Sequence, residues 1–331
     1  MNESKHLDKS SLRGTLREQV DMRKHTSWRA GGVAERMYQP ADLDDLVQFM
    51  RSLPGNEPLY EVGLGSNLLV RDGGLRGTVL LLHGTLNKLC LQADGNLYVE
   101  AGVPGAKLAR FAALHNLSGA EFFAGIPGTL GGMLAMNAGC YGSETWTKVL
   151  GVQTIDRHGE VHMRTAADYE IGYRHVNRIE DRGARIEKQE GTIQSTAPRY
   201  ALPYPQSSEI FVAAWLKFQP GDGDVARREI KELLSKRIAS QPLQLPNAGS
   251  VFRNPPCDHA ARLIEQCGLK GKKIGGAQVS EKHANFIVNT GHATAADIEN
   301  LINEVQAKVL DKTGIKLHPE VRIIGEYANH G

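Results

Sequence analysis

The 331-residue sequence has little cysteine, no excess of charge of either sign and no long apolar run. Its four cysteines include no CxxC pair, which argues against a disulfide framework or a cysteine-based metal site. The 39 Lys and Arg residues against 37 Asp and Glu residues leave a formal charge of +2. That balance lacks the basic excess that sequence-independent nucleic-acid binding requires. No run of about 18 apolar residues is present to predict a transmembrane helix.

Further absences concern location, metals and assembly. The N-terminus lacks the apolar core of a signal peptide, and we expect a cytoplasmic protein without a membrane partner. The 12 histidines form no HExxH motif, and we expect no resident metal. No apolar stripe is left over for a subunit interface, which favours a monomer. A chain of this length predicts two or three domains.

Apolar residues at helical spacing alternate with short apolar runs that glycine separates, a pattern typical of an α+β protein. The polar residues 1–20 are expected to form a loosely docked N-terminal extension, and the proline-containing residues 241–246 a linker. Helices are predicted over residues 41–53, 104–116, 224–239 and 258–266, and from the capping-box-like Thr294–Asp297 onward. Strands are predicted over residues 59–62, 68–70, 78–82, 97–101, 149–156, 160–164, 210–218 and 320–324.

Two glycine-rich segments are candidate nucleotide-binding loops. Gly63, Gly65, Ser66 and Asn67 lie between two predicted strands, where glycine lets backbone N–H groups converge on one anion. Their spacing is not the Rossmann fingerprint, because no GxGxxG opens a helix. Residues 124–142 form a glycine-dense loop with interleaved apolar residues, which argues against a flexible linker. Two such loops favour a nucleotide ligand over a pair of plain turns.

Three isolated polar residues carry little meaning when each is taken singly. Ser250 follows Gly249 at a predicted turn, but its flanks do not match GxSxG and no base is near it in sequence. Arg174 and Glu320 resemble ordinary surface charges. On the residues alone, a turn serine and two solvated charges remain an open interpretation.

Five motifs occur together in the chain: GLGSNLLV at 63–70, AGIPGTLGGMLAMNAG at 124–139, NAGSVFRNP at 247–255, IGGAQVSEKHANFIVN at 274–289 and PEVRIIG at 319–325. In combination, they resemble one family closely, the UDP-N-acetylenolpyruvoylglucosamine reductases. The resemblance runs from His25 to Gly325, and GGMLAMNAG and GAQVSEKHANFIVN are similar to the second type of the family, which lacks the tyrosine loop of the first. No single motif is specific, whereas the combination is.

The resemblance implies an α+β protein of three domains. The first two would form an FAD-binding fold of the vanillyl-alcohol-oxidase/PCMH type, and the third would close over the flavin and bind substrate. The implied first subdomain covers residues 21–90 with a C-terminal strand at 319–331. The implied second FAD-binding subdomain covers residues 91–240, and the substrate-binding domain covers residues 241–318.

The resemblance also implies cofactors and site residues. Non-covalent FAD is the implied cofactor, NADPH the co-substrate and a UDP-sugar the substrate. The implied catalytic residues are Arg174, Ser250 and Glu320. The implied cofactor-binding residues are Gly63, Gly65, Ser66, Asn67, Gly125, Ile126, Pro127, Gly128, Thr129, Gly132, Asn137 and Gly139. The implied substrate-binding residues are Tyr173, Asn254, Lys270 and Lys282.

The implied reaction gives the three catalytic residues distinct tasks. NADPH reduces the flavin, which then passes hydride to C3 of the enolpyruvyl ether and drives negative charge into the substrate carboxylate. Arg174 would stabilise that charge together with Glu320, and Ser250 would deliver a proton to C2. The product would be UDP-N-acetylmuramate, a peptidoglycan precursor.

One segment departs from the family pattern. Residues 177–208 continue from Tyr173 and Arg174 as a polar stretch with three prolines. The segment is either a surface excursion or a lid over the sugar-nucleotide site, with Tyr200 or Tyr204 in place of the missing tyrosine loop.

Two other functions remain open at this point. A flavin-dependent sugar or alcohol oxidase of the same superfamily would often tether its flavin, for which Cys140 is the candidate. A non-catalytic nucleotide-binding module would keep the glycine loops and lose one of the catalytic residues. All three, Arg174, Ser250 and Glu320, are present.

Overall fold

The structure is a computed structural model that describes residues 12–180 and 209–328. Helices and strands are mixed along the chain, as the sequence predicts for an α+β protein. The α-helices with defined bounds are α1 (Leu43–Ser52), α2 (Gly105–Leu114), α3 (Leu130–Ala135), α4 (Gly223–Ser240), α5 (Ala260–Gln266) and α6 (Ala295–Thr313). The strands are β1 (Thr15–Asp21), β2 (Val33–Gln39), β3 (Leu59–Val62), β4 (Leu68–Val70), β5 (Leu75–Leu81), β6 (Leu89–Leu91), β7 (Leu97–Glu100), β8 (Leu117–Ser118), β9 (Gly139–Cys140), β10 (Ser143–Glu144), β11 (Val149–Asp156), β12 (Val161–Arg164), β13 (Tyr169–Gly172), β14 (His175–Arg178), β15 (Glu209–Leu216), β16 (Gln219–Pro220), β17 (Lys273–Ile274), β18 (Ala277–Val279), β19 (Ile287–Asn289) and β20 (Arg322–Ile324).

The chain forms two compact units. Among the described residues, unit 1 takes residues 12–16, 38–63, 79–180 and 209–233. Unit 2 takes residues 17–37, 64–78 and 234–328. The three-domain boundaries that the resemblance implies stay a prediction.

Unit 1 is built around an antiparallel sheet of five strands in the order β12-β11-β15-β7-β6. Strands β11 and β15 pair along their whole length, from Val149 opposite Leu216 to Asp156 opposite Glu209. A separate hairpin, β13–β14, pairs Tyr169 with Arg178 at its base. The turn of this hairpin carries Arg174, one of the predicted catalytic residues.

A buried carboxylate fixes the start of helix α1 in unit 1. Asp45 is 1% exposed and accepts hydrogen bonds from the Tyr38 hydroxyl at 2.6 Å and from the backbone N–H groups of Arg13 and Ala41 at 2.7 and 2.8 Å. Burial alone would raise the pKa of Asp45, but these hydrogen bonds outweigh it and hold the pKa below its usual value. The Tyr38 ring stacks on Phe49 at a centroid distance of 4.0 Å, which links this site to the apolar core.

Unit 2 is organised by helix α6 and by a fully buried tryptophan. Trp28 donates its indole N–H to the Ile287 carbonyl at 2.8 Å and belongs to the core that α6 covers. The helix begins at the predicted capping box, in which Thr294 and Asp297 cap each other's backbone N–H groups. Its first N–H groups, on Ala295 and Ala296, donate to the carboxylate of Asp72.

Most predicted elements are found within a few residues of their expected bounds, and two expectations are wrong. Residues 15–20 are not a loosely docked extension, because they form most of β1 in a four-stranded sheet of order β1-β2-β5-β3. The glycine-rich segment 124–142 is not loop throughout, because it contains helix α3 and strand β9. Buried Leu130, Met133 and Leu134 stabilise that helix despite its two glycines.

Within the described residues, no helix is both long enough and apolar enough to cross a bilayer. The predicted surface excursion or lid at residues 177–208 lies outside the described residues from position 181 onward.

We predict that Asp45→Ala lowers the free energy of unfolding by about 2–4 kcal/mol, because it leaves the buried Tyr38 hydroxyl and two N–H groups without their acceptor. Asp44→Ala is the matched control on the exposed face of the same helical turn, with an expected cost below about 1 kcal/mol. Urea unfolding at pH 7 measures both. A carboxylate of lowered pKa stabilises the fold at pH values above its unfolded pKa of about 4, and this stabilisation is lost as the pH falls below that value. The difference in free energy of unfolding between wild type and Asp45→Ala should therefore become smaller in acid. Equal costs for the two variants would contradict this interpretation.

Candidate active site

Arg174 occupies a strained turn in unit 1. Gly172 pairs with His175 across hairpin β13–β14, which leaves Tyr173 and Arg174 as the turn residues. Arg174 has a φ of 59°, in the left-handed region that non-glycine residues adopt at a cost of about 1–3 kcal/mol. Such strain persists only where the surroundings hold it, and it clusters at functional sites. The turn that carries the predicted catalytic arginine therefore holds it in an uncommon backbone conformation, which six other non-glycine residues of the described chain also adopt.

The Arg174 side chain packs against the predicted cofactor loop. Its Nη2 donates to the Gly139 carbonyl at 3.3 Å, and its guanidinium carbon lies 5.6 Å from the centre of the Tyr173 ring, within range of a cation–π contact. Tyr173, a predicted substrate-binding residue, is 50% exposed. The structure thus brings together Arg174, Tyr173 and Gly139.

An ionic cluster closes the base of the same hairpin. Glu209 is buried and accepts from Arg164 and Arg178, each at 2.6 Å, and from the Thr154 hydroxyl at 2.6 Å. Burial alone would raise the pKa of Glu209, but hydrogen bonds from Arg164 and Thr154 and the charge of Arg178 hold it below its usual value. Because Arg178 ends strand β14, this cluster fixes the hairpin at the end opposite Arg174.

Ser250 and Glu320 lie on neighbouring backbone segments of unit 2. The Glu320 N–H donates to the Val251 carbonyl at 2.7 Å, and Phe252 forms an isolated bridge with Pro319. Gly249 precedes the serine with a φ of 75°, a conformation that favours glycine and turns the chain into this segment. The backbone segments that carry Ser250 and Glu320, two of the three predicted catalytic residues, are therefore next to each other.

Asn67 joins the first glycine loop to the same place. Its side-chain amide donates to the Glu320 carbonyl at 3.1 Å, and its own carbonyl accepts from the Arg322 N–H at 2.9 Å. Gly65 and Ser66 precede it in unit 2, while Gly63 lies in unit 1. A predicted cofactor residue thus holds the backbone of a predicted catalytic residue.

Asn285 is a site residue to which the sequence analysis assigned no role. It is 4% exposed, and its side chain both accepts from the Phe252 N–H at 2.9 Å and donates to the Phe252 carbonyl at 2.8 Å. Its backbone carbonyl accepts from the Val251 N–H at 2.9 Å. The segment that follows Ser250 is therefore held by hydrogen bonds at both Val251 and Phe252. The available signal was Asn285 within KHANFIVN, but Phe252, which its side chain binds, is 33 positions away.

The second glycine loop of unit 1 turns from a 3₁₀ helix, Glu121–Gly125, through Ile126, Pro127, Gly128 and Thr129 into α3. The Gly128 carbonyl accepts from Gly105 at 3.0 Å, which anchors the loop on the start of α2. A Cβ built at Gly63 would approach the Thr129 hydroxyl oxygen to 2.4 Å, so the ends of the two predicted cofactor segments in unit 1 are in close contact.

Gly132 leaves open space beside the backbone of this loop. It is an exposed position of helix α3, and a Cβ built there meets no atom of the described residues within 4 Å. Glycine in a helix is about 1 kcal/mol less favourable than alanine, and no contact within the described chain requires it here. The open space leaves room for a flat or charged ligand to approach the backbone, so the loop fits FAD.

The remaining predicted substrate-binding residues have partners within unit 2. The Asn254 side-chain oxygen accepts from the Ala260 N–H at 3.1 Å at the start of α5. Lys270 pairs with Glu265 at 3.1 Å, and Lys282 donates to the Ile238 carbonyl at 2.6 Å. Their role toward substrate stays a prediction.

Comparisons with known proteins agree with this arrangement. Residues 241–324 match the family described as UDP-N-acetylenolpyruvoylglucosamine reductase, C-terminal domain, and residues 34–164 match the family described as FAD binding domain. The UDP-N-acetylenolpyruvoylglucosamine reductase of Nitrosospira multiformis is 56% identical over 322 residues, 96% of this chain and 91% of the relative. That of Nitrosomonas eutropha is 55% identical over 325 residues, 97% of this chain and 92% of the relative.

A solved structure gives the same result for the fold. The crystal structure of UDP-N-acetylenolpyruvylglucosamine reductase from Thermus caldophilus aligns with a TM-score of 0.74 at 28% identity, covering 95% of this chain and 99% of that chain.

The FAD-binding match and the fold define an FAD-containing oxidoreductase. The chain belongs to the UDP-N-acetylenolpyruvoylglucosamine reductase family. The family resemblance, the FAD-binding α+β fold and the FAD cofactor expected from the sequence are confirmed, and the matches favour a reductase over the oxidase alternative. Cys140, the candidate flavin tether, donates its thiol to the Phe122 carbonyl at 3.1 Å.

We predict that Gly132→Ala leaves the fold intact, or stabilises it by up to about 1 kcal/mol, while it weakens FAD binding by at least about tenfold through a clash with the bound cofactor. Gly55→Ala is the matched control, since Gly55 is also exposed with open space around its Cβ but lies outside both loops. Thermal unfolding of the apoprotein and fluorescence titration with FAD measure the two effects. Unchanged FAD affinity in Gly132→Ala would show that the cofactor does not approach this helix.

Proposed function

We propose that this protein uses NADPH to reduce UDP-N-acetylglucosamine enolpyruvate to UDP-N-acetylmuramate, in the cytoplasmic synthesis of peptidoglycan precursors. The family assignment supports the substrate class. The observation that carries the proposal is the strained turn of Arg174, held with its guanidinium against the cofactor loop. An anionic, carboxylate-bearing substrate is the ligand that such an arginine is suited to bind.

FAD, when bound, supplies the hydride chemistry between the nicotinamide and C3 of the enolpyruvyl ether. The residues proposed to hold it are the backbone groups of Gly63–Asn67 and of Gly125–Gly132. Non-covalent binding is consistent with the engaged thiol of Cys140.

Arg174 is proposed to bind the substrate carboxylate and to stabilise the charge that grows there during reduction. A guanidinium presents two parallel N–H donors to a carboxylate. A fixed donor in a water-poor site is worth about 2.7–4 kcal/mol of barrier. Glu320 is proposed to share this task, and its backbone N–H donates to the carbonyl of Val251, the residue after Ser250.

Ser250 is proposed to donate the proton that C2 needs once C3 has been reduced. Three backbone and side-chain hydrogen bonds of Asn285 hold the following two residues, Val251 and Phe252, so the position of the serine is fixed rather than loop-like. A positioned general acid contributes about 10²–10⁴ in rate. Tyr173, Asn254, Lys270 and Lys282 are proposed to contact the UDP-sugar, and a monomer is the proposed working unit.

We expect Ser250→Ala to separate the two half-reactions. Reduction of the flavin by NADPH should keep nearly its normal rate, because that step uses no proton from serine. Reoxidation by the enolpyruvyl sugar should slow by about 10²-fold or more, and Ser250→Cys should recover part of the loss, since a thiol also donates a proton. Stopped-flow absorbance of each half-reaction measures this. If Ser250→Ala slows both half-reactions equally, the serine has a structural role only.

We expect Arg174→Asn to separate stability from activity. Asparagine tolerates the left-handed region, so the melting temperature should stay the same or rise, whereas reoxidation by the enolpyruvyl sugar should slow by about 10²–10³-fold. Arg174→Lys should show an intermediate rate, because a single point charge replaces the two-pronged donor. Thermal unfolding and stopped-flow absorbance test the pair. Reoxidation at the wild-type rate in Arg174→Asn would refute the proposed role of this residue.

A further inference from the structure

We propose that Asn137 is a positioning residue for Arg174, acting on the hairpin turn rather than on the cofactor. This inference rests on the proposed function, because it assigns Asn137 a role through Arg174. The resemblance alone implies a direct contact with FAD, and the hydrogen bonds of the side chain point elsewhere.

The side-chain amide of Asn137 is almost fully occupied by the protein. It is 3% exposed, so little of it is open to a bound cofactor. Its Nδ2 donates to Glu144 Oε2 at 2.8 Å and to the Gly172 carbonyl at 3.3 Å, and its Oδ1 accepts from the Trp146 N–H at 3.1 Å. Both amide protons are therefore used within unit 1.

The chemistry of the partners fixes which way the amide points. A carboxylate and a carbonyl only accept, and a backbone N–H only donates, so Nδ2 must face Glu144 and Gly172 while Oδ1 faces Trp146. A flipped amide would lose all three hydrogen bonds. Glu144 thus sets the orientation in which Asn137 reaches the hairpin.

The residue that Asn137 binds is the one that begins the strained turn. Gly172 is the last residue of β13 and precedes Tyr173 and Arg174, and two residues after Asn137 the Gly139 carbonyl accepts from the Arg174 guanidinium. The segment 137–139 therefore binds both the backbone that leads into the turn and the side chain at its tip. Such paired contacts can sustain the left-handed conformation of Arg174.

The segment that makes these contacts is itself rigidly held. Thr145, which is fully buried, donates its N–H and its hydroxyl to the Ala138 carbonyl at 3.0 and 2.6 Å. The Trp146 indole N–H donates to the Leu134 carbonyl at 2.9 Å, and the Trp146 ring packs on Tyr169 at the hairpin base with a centroid distance of 5.1 Å. These contacts hold the backbone on both sides of Asn137, so its side chain keeps one position relative to the hairpin.

The test uses Asn137→Asp in the FAD-loaded enzyme. The variant keeps the shape but places an oxygen against the Glu144 carboxylate and the Gly172 carbonyl, so the turn should be released. We expect flavin content and the rate of reduction by NADPH to stay within about twofold of wild type. Reoxidation by the enolpyruvyl sugar should slow by about 10–100-fold, the loss expected when a reacting group is displaced by about 1 Å. Loss of FAD would instead show a cofactor contact and overturn the proposal.

Lowering the pH should partly rescue Asn137→Asp. The introduced carboxyl group lies against the Glu144 carboxylate, so it should take up a proton as the pH falls, which removes the repulsion between the two groups. The ratio of variant to wild-type reoxidation rates should therefore rise as the pH falls. A ratio independent of pH would contradict the hydrogen-bonding role.

A double-mutant cycle with Arg174→Asn tests whether Asn137 acts through the arginine. In the Arg174→Asn background, Asn137→Asp should slow reoxidation by no more than about twofold further, because the group that it positions is gone. If Asn137→Asp slows reoxidation in that background as much as it does in the wild type, the proposal is overturned. If Arg174→Asn alone reoxidises normally, the proposed function fails instead, and the next measurement still tests the positioning.

The Nε–Hε resonance of Arg174 in ¹⁵N-labelled enzyme provides a readout independent of activity. It is identified as the signal that Arg174→Asn removes, and it should shift or broaden in Asn137→Asp. An unchanged resonance would overturn the proposal.

Two further variants control the experiment. Asn96→Asp creates the same repulsion beside Asp94 in a remote exposed turn and should change none of these quantities. Glu144→Ala should reproduce the pattern of Asn137→Asp at smaller magnitude, because the amide loses the acceptor that orients it. Glu144→Ala also tests the proposal if Asn137→Asp does not fold. Reoxidation at the wild-type rate in Glu144→Ala would then contradict the proposal.

Discussion

The side-chain amide of Asn137 binds two segments of unit 1 at once, and the geometry of the arginine turn depends on it. Glu144 and the Trp146 backbone belong to one segment and the Gly172 carbonyl to another, and one buried amide bonds to all three. A buried amide that loses one partner is costly, because the unsatisfied group cannot reach water. The cost of the left-handed Arg174 is thereby offset by interactions that only the folded unit provides.

The same device recurs in unit 2. The Asn285 side chain hydrogen-bonds to the N–H and the carbonyl of Phe252, two residues after Ser250. The Asn67 side chain donates to the carbonyl of Glu320. Each of the three proposed catalytic residues therefore has an asparagine side chain bonded to the backbone at or near it. Side-chain amides suit this purpose, because one group can donate and accept toward a peptide unit at the same time.

The sequence predicts well whatever depends on local pattern. Strand β3 and strand β11 have the predicted bounds, and the capping box at Thr294 is where the pattern places it, because capping depends on residues three positions apart. Helix α3 is missed, since its glycines predict loop and only tertiary burial of its apolar residues stabilises it. The resemblance supplies the FAD and the family, which no periodicity in the chain contains.

The positioning contacts of the site could not be predicted from the sequence for a related reason. Asn137 and Gly172 are 35 positions apart, and Asn67 and Glu320 are 253 apart. No local spacing rule connects such pairs, so a motif identifies the asparagine without its partner. The left-handed φ of Arg174 is likewise a property of the folded turn, which its side-chain type argues against.

A crystal structure of the oxidised holoenzyme with the enolpyruvyl sugar bound tests the central claim most directly. The account predicts that the substrate carboxylate lies within hydrogen-bonding distance of the Arg174 guanidinium, with C2 within reach of the Ser250 hydroxyl and the Asn137–Gly172 hydrogen bond intact. A substrate whose carboxylate is bound by other residues, with Arg174 directed into solvent, would contradict it.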